Sequence, residues 1–165
     1  MTQKPGAGGA LLLAGAILAQ VMLEVSLGRV FYAPNLVALA LMFLSADSGD
    51  FWAIEGAFAA GLCLDLVMHQ PVGASSLGLI CGMLAGSSML GAATRESRTV
   101  LLTSAAAVSL VSDLVFMIAA SRPLISSLGS GLLVVIPRAA LTAAAGMMIG
   151  GAAGLVERAR RAAES

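Results

Sequence analysis

Between Gly61 and Gly73 the chain reads GLCLDLVMHQPVG, and the carboxylate of Asp65 stands inside an apolar run. From Leu66 to Thr94 there is no Asp, Glu, Lys or Arg. Such a stretch cannot form a soluble surface helix, because it has no polar face to turn to water. A chain this apolar belongs in lipid, and an acid kept inside it is by default a functional-site hypothesis. Only 11% of the 165 residues are charged and 59% are hydrophobic, whereas soluble domains carry roughly 25% charged residues. One water-soluble core of this size could not hide so much apolar surface. The expectation is an all-α, polytopic membrane bundle forming a single domain over residues 1–165.

A membrane-crossing helix needs about 20 apolar residues, with a range of roughly 17–25. Six candidate spans follow: Ala10–Gly28, Tyr32–Ala46, Phe51–Met68, Ala74–Ala93, Thr99–Ser121 and about Leu133–Val156. The second is short, and Pro34 suits its first turn. Leu124–Gly131, rich in Ser and Gly, is expected to be a loop or interfacial segment. The connections are brief (Arg29–Phe31, Asp47–Asp50, His69–Gly73, Thr94–Arg98), so neighbouring helices run antiparallel and no soluble domain is inserted. The first apolar run passes through Gln20 and Glu24 without a clean cleavage site, which argues against a secretory signal.

Nine Lys and Arg balance nine Asp and Glu, so no net charge points to nucleic acid. With six spans, one side collects Lys4, Arg95, Arg98, Arg158, Arg160 and Arg161, and the other Arg29 and Arg122, with Arg138 near its boundary. The positive-inside bias places both termini in the cytoplasm. Cys63 and Cys81 lie in apolar segments without CxxC spacing and are expected to be packing residues. Glu55, near Asp47 and Asp50, fits a solvated helix end. Trp52 fits an interfacial anchor, and His69 a loop.

Helices in lipid gain little hydrophobic energy from touching, so small residues and hydrogen bonds decide where they pack. Four-residue stripes run through Ala74, Gly78, Gly82 and Gly86, and through Thr142, Gly146, Gly150 and Gly154. Ala53, Ala57 and Gly61 lead to Asp65; Ala105 and Ser109 lead to Asp113; Ala16 and Gln20 lead to Glu24 and Gly28. Each acid therefore lies on the small or polar face of its helix and should point into the bundle, in the outer half of the membrane. An ionised side chain near the midplane costs about 2.5–3.5 kcal/mol to insert. The three acids are thus expected to be paired with arginines, hydrogen-bonded or protonated.

Asp65 stands one turn from the end of its helix, where the macrodipole disfavours a negative charge. The free N–H groups around Ala74–Ser76, brought back by the Pro71 and Gly73 turn, are a plausible partner. That makes Asp65 a staple of the third and fourth helices; a ligand or proton role is the alternative. No phosphate loop, dinucleotide fingerprint, HExxH or GxSxG motif is present. Neither enzyme activity nor a cofactor or metal is expected. A proton-coupled carrier would draw on the three acids, but no inverted repeat supports it.

Three features carry a family resemblance: Pro34-Asn35 opening PNLVALALMFL, the GLCLDLV stretch with Asp65, and the Pro71-x-Gly73 turn leading into ASSLGLICG. Together they resemble the MreD family, the small polytopic member of the bacterial rod-shape system. The likeness covers Pro34 to about Gly86; the flanking spans agree in hydropathy. The family usually carries an acidic residue after the proline, and this chain has Asn35. The resemblance implies a multi-pass, non-catalytic inner-membrane scaffold of the elongation complex, supporting peptidoglycan synthesis and cell shape. It implies a fold similar to the substrate-binding subunits of energy-coupling-factor transporters. It also implies binding to MreC, a single-span protein, and work with RodA, its transpeptidase partner and, indirectly, MreB filaments. The alternative is a vitamin-binding subunit of such a transporter. The structural and partner-binding candidates are Glu24, Pro34, Asn35, Asp65, Pro71, Gly73, Gly78, Gly82, Gly86, Asp113 and Arg138.

Overall fold

Ten polar side chains are buried among the described residues, while nineteen large apolar ones are exposed and nine of similar class are buried. That is the reverse of a water-soluble bundle, whose exposed apolar patches rarely exceed a few hundred Å². The pattern is physically sensible only if hydrocarbon surrounds the protein. The computed structural model describes residues 7–26, 33–92, 98–119 and 135–149. Six helices occupy them: α1 Ala7–Ser26, α2 Leu36–Ser48, α3 Asp50–Val67, α4 Ala74–Ala92, α5 Arg98–Ala119 and α6 Val135–Ile149. By length and composition, α1 and the Leu102–Ala119 part of α5 are each able to cross a membrane.

The core is built around α2. Val37, Leu39, Leu41 and Met42 are buried on every side of that helix, so no polar face is needed. Around it, Ala53, Ala57 and Ala60 of α3, Leu79 and Met83 of α4, and Ala105 and Val108 of α5 complete the cluster. The expected stripes set the spacing. A Cβ on Gly78 would stand 2.6 Å from the backbone oxygen of Ser112, and one on Gly82 2.6 Å from that of Val108. A Cβ on Gly61 would collide with the backbone of Ser76. Among α1 to α5, the α4–α5 pair is the most extensive, and α3 and α4 close as a tight hairpin.

The stripe of Gly78, Gly82 and Gly86, expected to serve structure or partner binding, is consumed inside the chain. Its glycines meet Ser112, Val108, Met42 and Ser104, so none is left for an outside helix. Several boundaries also differ. The second helix starts at Leu36, not Tyr32, and Pro34 precedes it rather than opening its first turn. The cause is Asn35, whose Oδ1 accepts from Ala38 N at 3.0 Å and defines the N-cap. The Asp47–Asp50 loop shrinks to Gly49, which reverses the chain at φ +97°. Arg98 begins α5 instead of ending a loop. Cys63 is exposed rather than packed. Gly150, Gly154, Arg29, Arg95, Arg122, the 124–131 stretch and both ends of the chain lie outside the described residues.

Candidate functional site

The C-terminal halves of α1, α3 and α5 meet the N-terminal ends of α2, α4 and α6 around one polar cavity of about 90 Å³. Consecutive helices therefore alternate in direction. The cavity has a simple geometric setting. With 13 residues at 1.5 Å each, α2 is about 20 Å long, against about 30 Å of hydrocarbon in a typical bilayer. Its N-terminal end stops inside the bundle, and its free N–H groups need partners there.

Side chains from other helices supply them. Leu36 N donates to Gln20 Oε1 at 2.9 Å, and Asn35 N donates to Thr142 Oγ1 at 2.8 Å. Asn35 itself caps Ala38, as described above. Gln20 uses its other end as well, with Nε2 donating to Glu24 Oε1 at 2.5 Å. Thr142 donates to the carbonyl oxygen of Arg138 at 2.8 Å and lies 3.4 Å from Ser109 Oγ. One network thus ties α1, α2, α5 and α6 together through the start of α2.

The charged members complete it. Arg138 Nη2 donates to Glu24 Oε1 at 3.0 Å, and Nη1 stands 3.5 Å from Asp113 Oδ1. Two carboxylates on α1 and α5 share one guanidinium on α6. The expectation that Glu24 and Asp113 turn inward and pair with arginine is met, with Arg138 serving both. Their side chains are 24% and 14% exposed, so neither stands free in hydrocarbon. The positive end of α2 lies at the same cavity and adds partial positive charge beside the acids.

Asp65 is separate. It is 1% exposed, and its two oxygens accept from Gly73 N at 2.7 Å and Ser75 N at 3.1 Å. The staple expected at Ala74–Ser76 exists, with one donor lying a residue earlier. Gly73 makes it possible: φ of +93° turns the chain so that its N–H meets the carboxylate. Pro71 lends its carbonyl to Ala74 N at 3.1 Å. The turn also holds His69 at φ +52°. Below it, Ser76 Oγ donates to the Phe58 carbonyl at 3.1 Å.

Of the expected residues, the structure brings Glu24, Asn35, Asp113 and Arg138 to the cavity. Asp65, Pro71 and Gly73 build the neighbouring hairpin, and Pro34 leads into the cap. Gly78, Gly82 and Gly86 belong to the α4–α5 interface instead. Sequence reasoning undervalued Gln20 and Thr142. Their signal was spacing: Gln20 precedes Glu24 by four residues, and Thr142 follows Arg138 by four, so each pair shares a helix face.

Comparison with protein families matches residues 8–153 to the family described as rod shape-determining protein MreD. The chain belongs to the MreD family. Apart from Ala7, the match takes in all six described helices, and with them both the polar network and the Asp65 staple. The protein is accordingly a rod shape-determining membrane protein, and its apolar helices agree with that setting. Within this MreD-family chain, the residue after Pro34 works as a neutral helix cap, so the amide of Asn35 does there what a carboxylate also does well. Comparison with curated proteins and with solved structures gives no match.

Proposed function

We propose that this MreD-family protein is a non-catalytic scaffold of the elongation complex in the bacterial inner membrane. It crosses the bilayer six times with both termini in the cytoplasm. It holds the single transmembrane helix of an MreC-like partner and through it supports RodA, the RodA transpeptidase partner and, indirectly, MreB. The observation that supports the reading is the family match together with nineteen large apolar side chains left exposed among the described residues. Leu77 and Leu84 on α4 and Ile136 and Met148 on α6 all point outward. Such a surface suits contact with another membrane helix through packing.

In-cell photo-crosslinking tests the scaffold. A probe at Leu84 or Met148 is expected to capture a single-span protein with a periplasmic coiled coil, and depletion is expected to convert rods to spheres. Absence of any such adduct from α4 and α6, with cells remaining rod-shaped on depletion, would overturn the proposal.

A further inference from the structure

The three acids are unequally satisfied. Asp65 accepts two backbone hydrogen bonds. Glu24 accepts from Gln20 and Arg138. Asp113 accepts none among the described residues: Oδ1 stands 3.5 Å from Arg138 Nη1, and Oδ2 is buried without a partner. That separation is beyond a good hydrogen bond, in surroundings where a missing bond is most costly. Arg138 is incomplete too, because its Nε is buried and unpaired. The site is short of one donor and one acceptor, on the two partners of a single weak ion pair.

Both residues line the same cavity, with Gln20, Gln70 and Ser75 beside them. Its 90 Å³ is room for a few water molecules or a small polar group. Two carboxylates and one guanidinium line it, a formal excess of one negative charge that the roughly half positive charge at the start of α2 offsets only in part. An anion would add to that excess, an apolar group would leave both orphan atoms unpaired, and water would bring hydrogen bonds without charge. The complement is a primary ammonium with an oxygen acceptor close by. As the side chains stand, Oδ2 and Nε have no exposed surface. Engagement therefore needs a turn of the Asp113 carboxylate about χ2, which is a soft torsion, and a small shift of the guanidinium.

We infer that this cavity is a binding site for a primary-amine group of the ethanolamine type, with Asp113 accepting from the ammonium and Arg138 donating to the adjacent oxygen. The same chemistry comes from two sources, free ethanolamine or the headgroup of phosphatidylethanolamine. The inference is independent of which protein helix packs on the outside of the bundle.

The test uses the full chain. Thermal unfolding in detergent is followed against ethanolamine and against choline, whose quaternary nitrogen has no N–H. The same protein is then compared in nanodiscs of phosphatidylethanolamine and of phosphatidylcholine. Ethanolamine, its phospholipid or both are expected to raise the unfolding midpoint in a saturable way, with the methylated counterpart giving no rise. Stabilisation by the free amine alone assigns a soluble ligand, and by the phospholipid alone a lipid headgroup. Asp113→Asn is expected to weaken binding about tenfold or more. Equal effects of the amine and its methylated counterpart, no effect of either, or undiminished binding by Asp113→Asn would each overturn the site. The amine-versus-choline comparison needs no variant, so it decides the matter even where Asp113→Asn folds poorly.

Discussion

Replacing Asp65 by alanine removes the acceptor for both Gly73 N and Ser75 N. A hydrogen bond to a charged group is worth about 1.5–3 kcal/mol, so two give about 3–6 kcal/mol before any compensation. Some compensation is certain, because the unfolded chain in a membrane also finds partners; interhelical bonds there have averaged about 0.6 kcal/mol each. Ser75 N sits in the first turn of α4 and has no acceptor within the helix. With Asp65 1% exposed, water does not easily replace the carboxylate. The expected loss is about 3 kcal/mol, roughly a hundredfold in the folding equilibrium, and not less than about 1 kcal/mol. Asp65→Asn keeps one acceptor oxygen but sets an amide N–H₂ against the second donor, so it should lose about half as much. Equilibrium unfolding in mixed micelles, read by helicity and Trp52 fluorescence, measures both. An alanine variant within about 0.5 kcal/mol of the parent, or an asparagine variant less stable than alanine, would refute the staple.

The remaining expectations concern packing, backbone and charge. Gly78→Ala and Gly82→Ala each push a methyl toward a backbone oxygen and should cost about 1–3 kcal/mol. Gly15→Ala, with nothing within 4 Å of the added carbon, should change stability by less than about 1 kcal/mol; equal effects at all three positions would show that the close approach is not real. Gly73→Ala meets no neighbour but must hold φ near +93°, a strain of about 1–2 kcal/mol, and protease cleavage in the 68–73 turn should rise with it. Arg138→Met strands two partly buried carboxylates and should cost about 3–5 kcal/mol. Adding Glu24→Gln should recover part of that loss, and a double-mutant cycle with no coupling between the two positions would contradict the shared ion pair.

Much of the architecture was legible because its cause is local. An uncharged run of apolar sequence has one home, and the four-residue spacing of small residues and acids marks the face that each helix buries. That is why Ala53, Ala57, Gly61 and Asp65 could be assigned to one inward stripe, and why the Asp65 hairpin was foreseeable from a proline-glycine turn beside a helix C-terminus. The start of α2 was misplaced because proline and asparagine both favour helix beginnings, and only the Asn35-to-Ala38 bond chooses between them. The glycine stripe of α4 was readable as an interface, but nothing in its spacing says whether the partner is α5 or another protein.

The sequence by itself determined that the chain is a lipid-embedded helical bundle with Glu24, Asp65 and Asp113 turned inward, since burial cost and helical periodicity depend only on residue order. Tertiary structure alone decided that one arginine serves both Glu24 and Asp113, that Gln20 and Thr142 hold the end of a short central helix, and that Asp113 is left wanting a donor. Those outcomes depend on distances between helices far apart in the chain, and the packing of α4 against α5 and of α1 and α6 around α2 sets those distances.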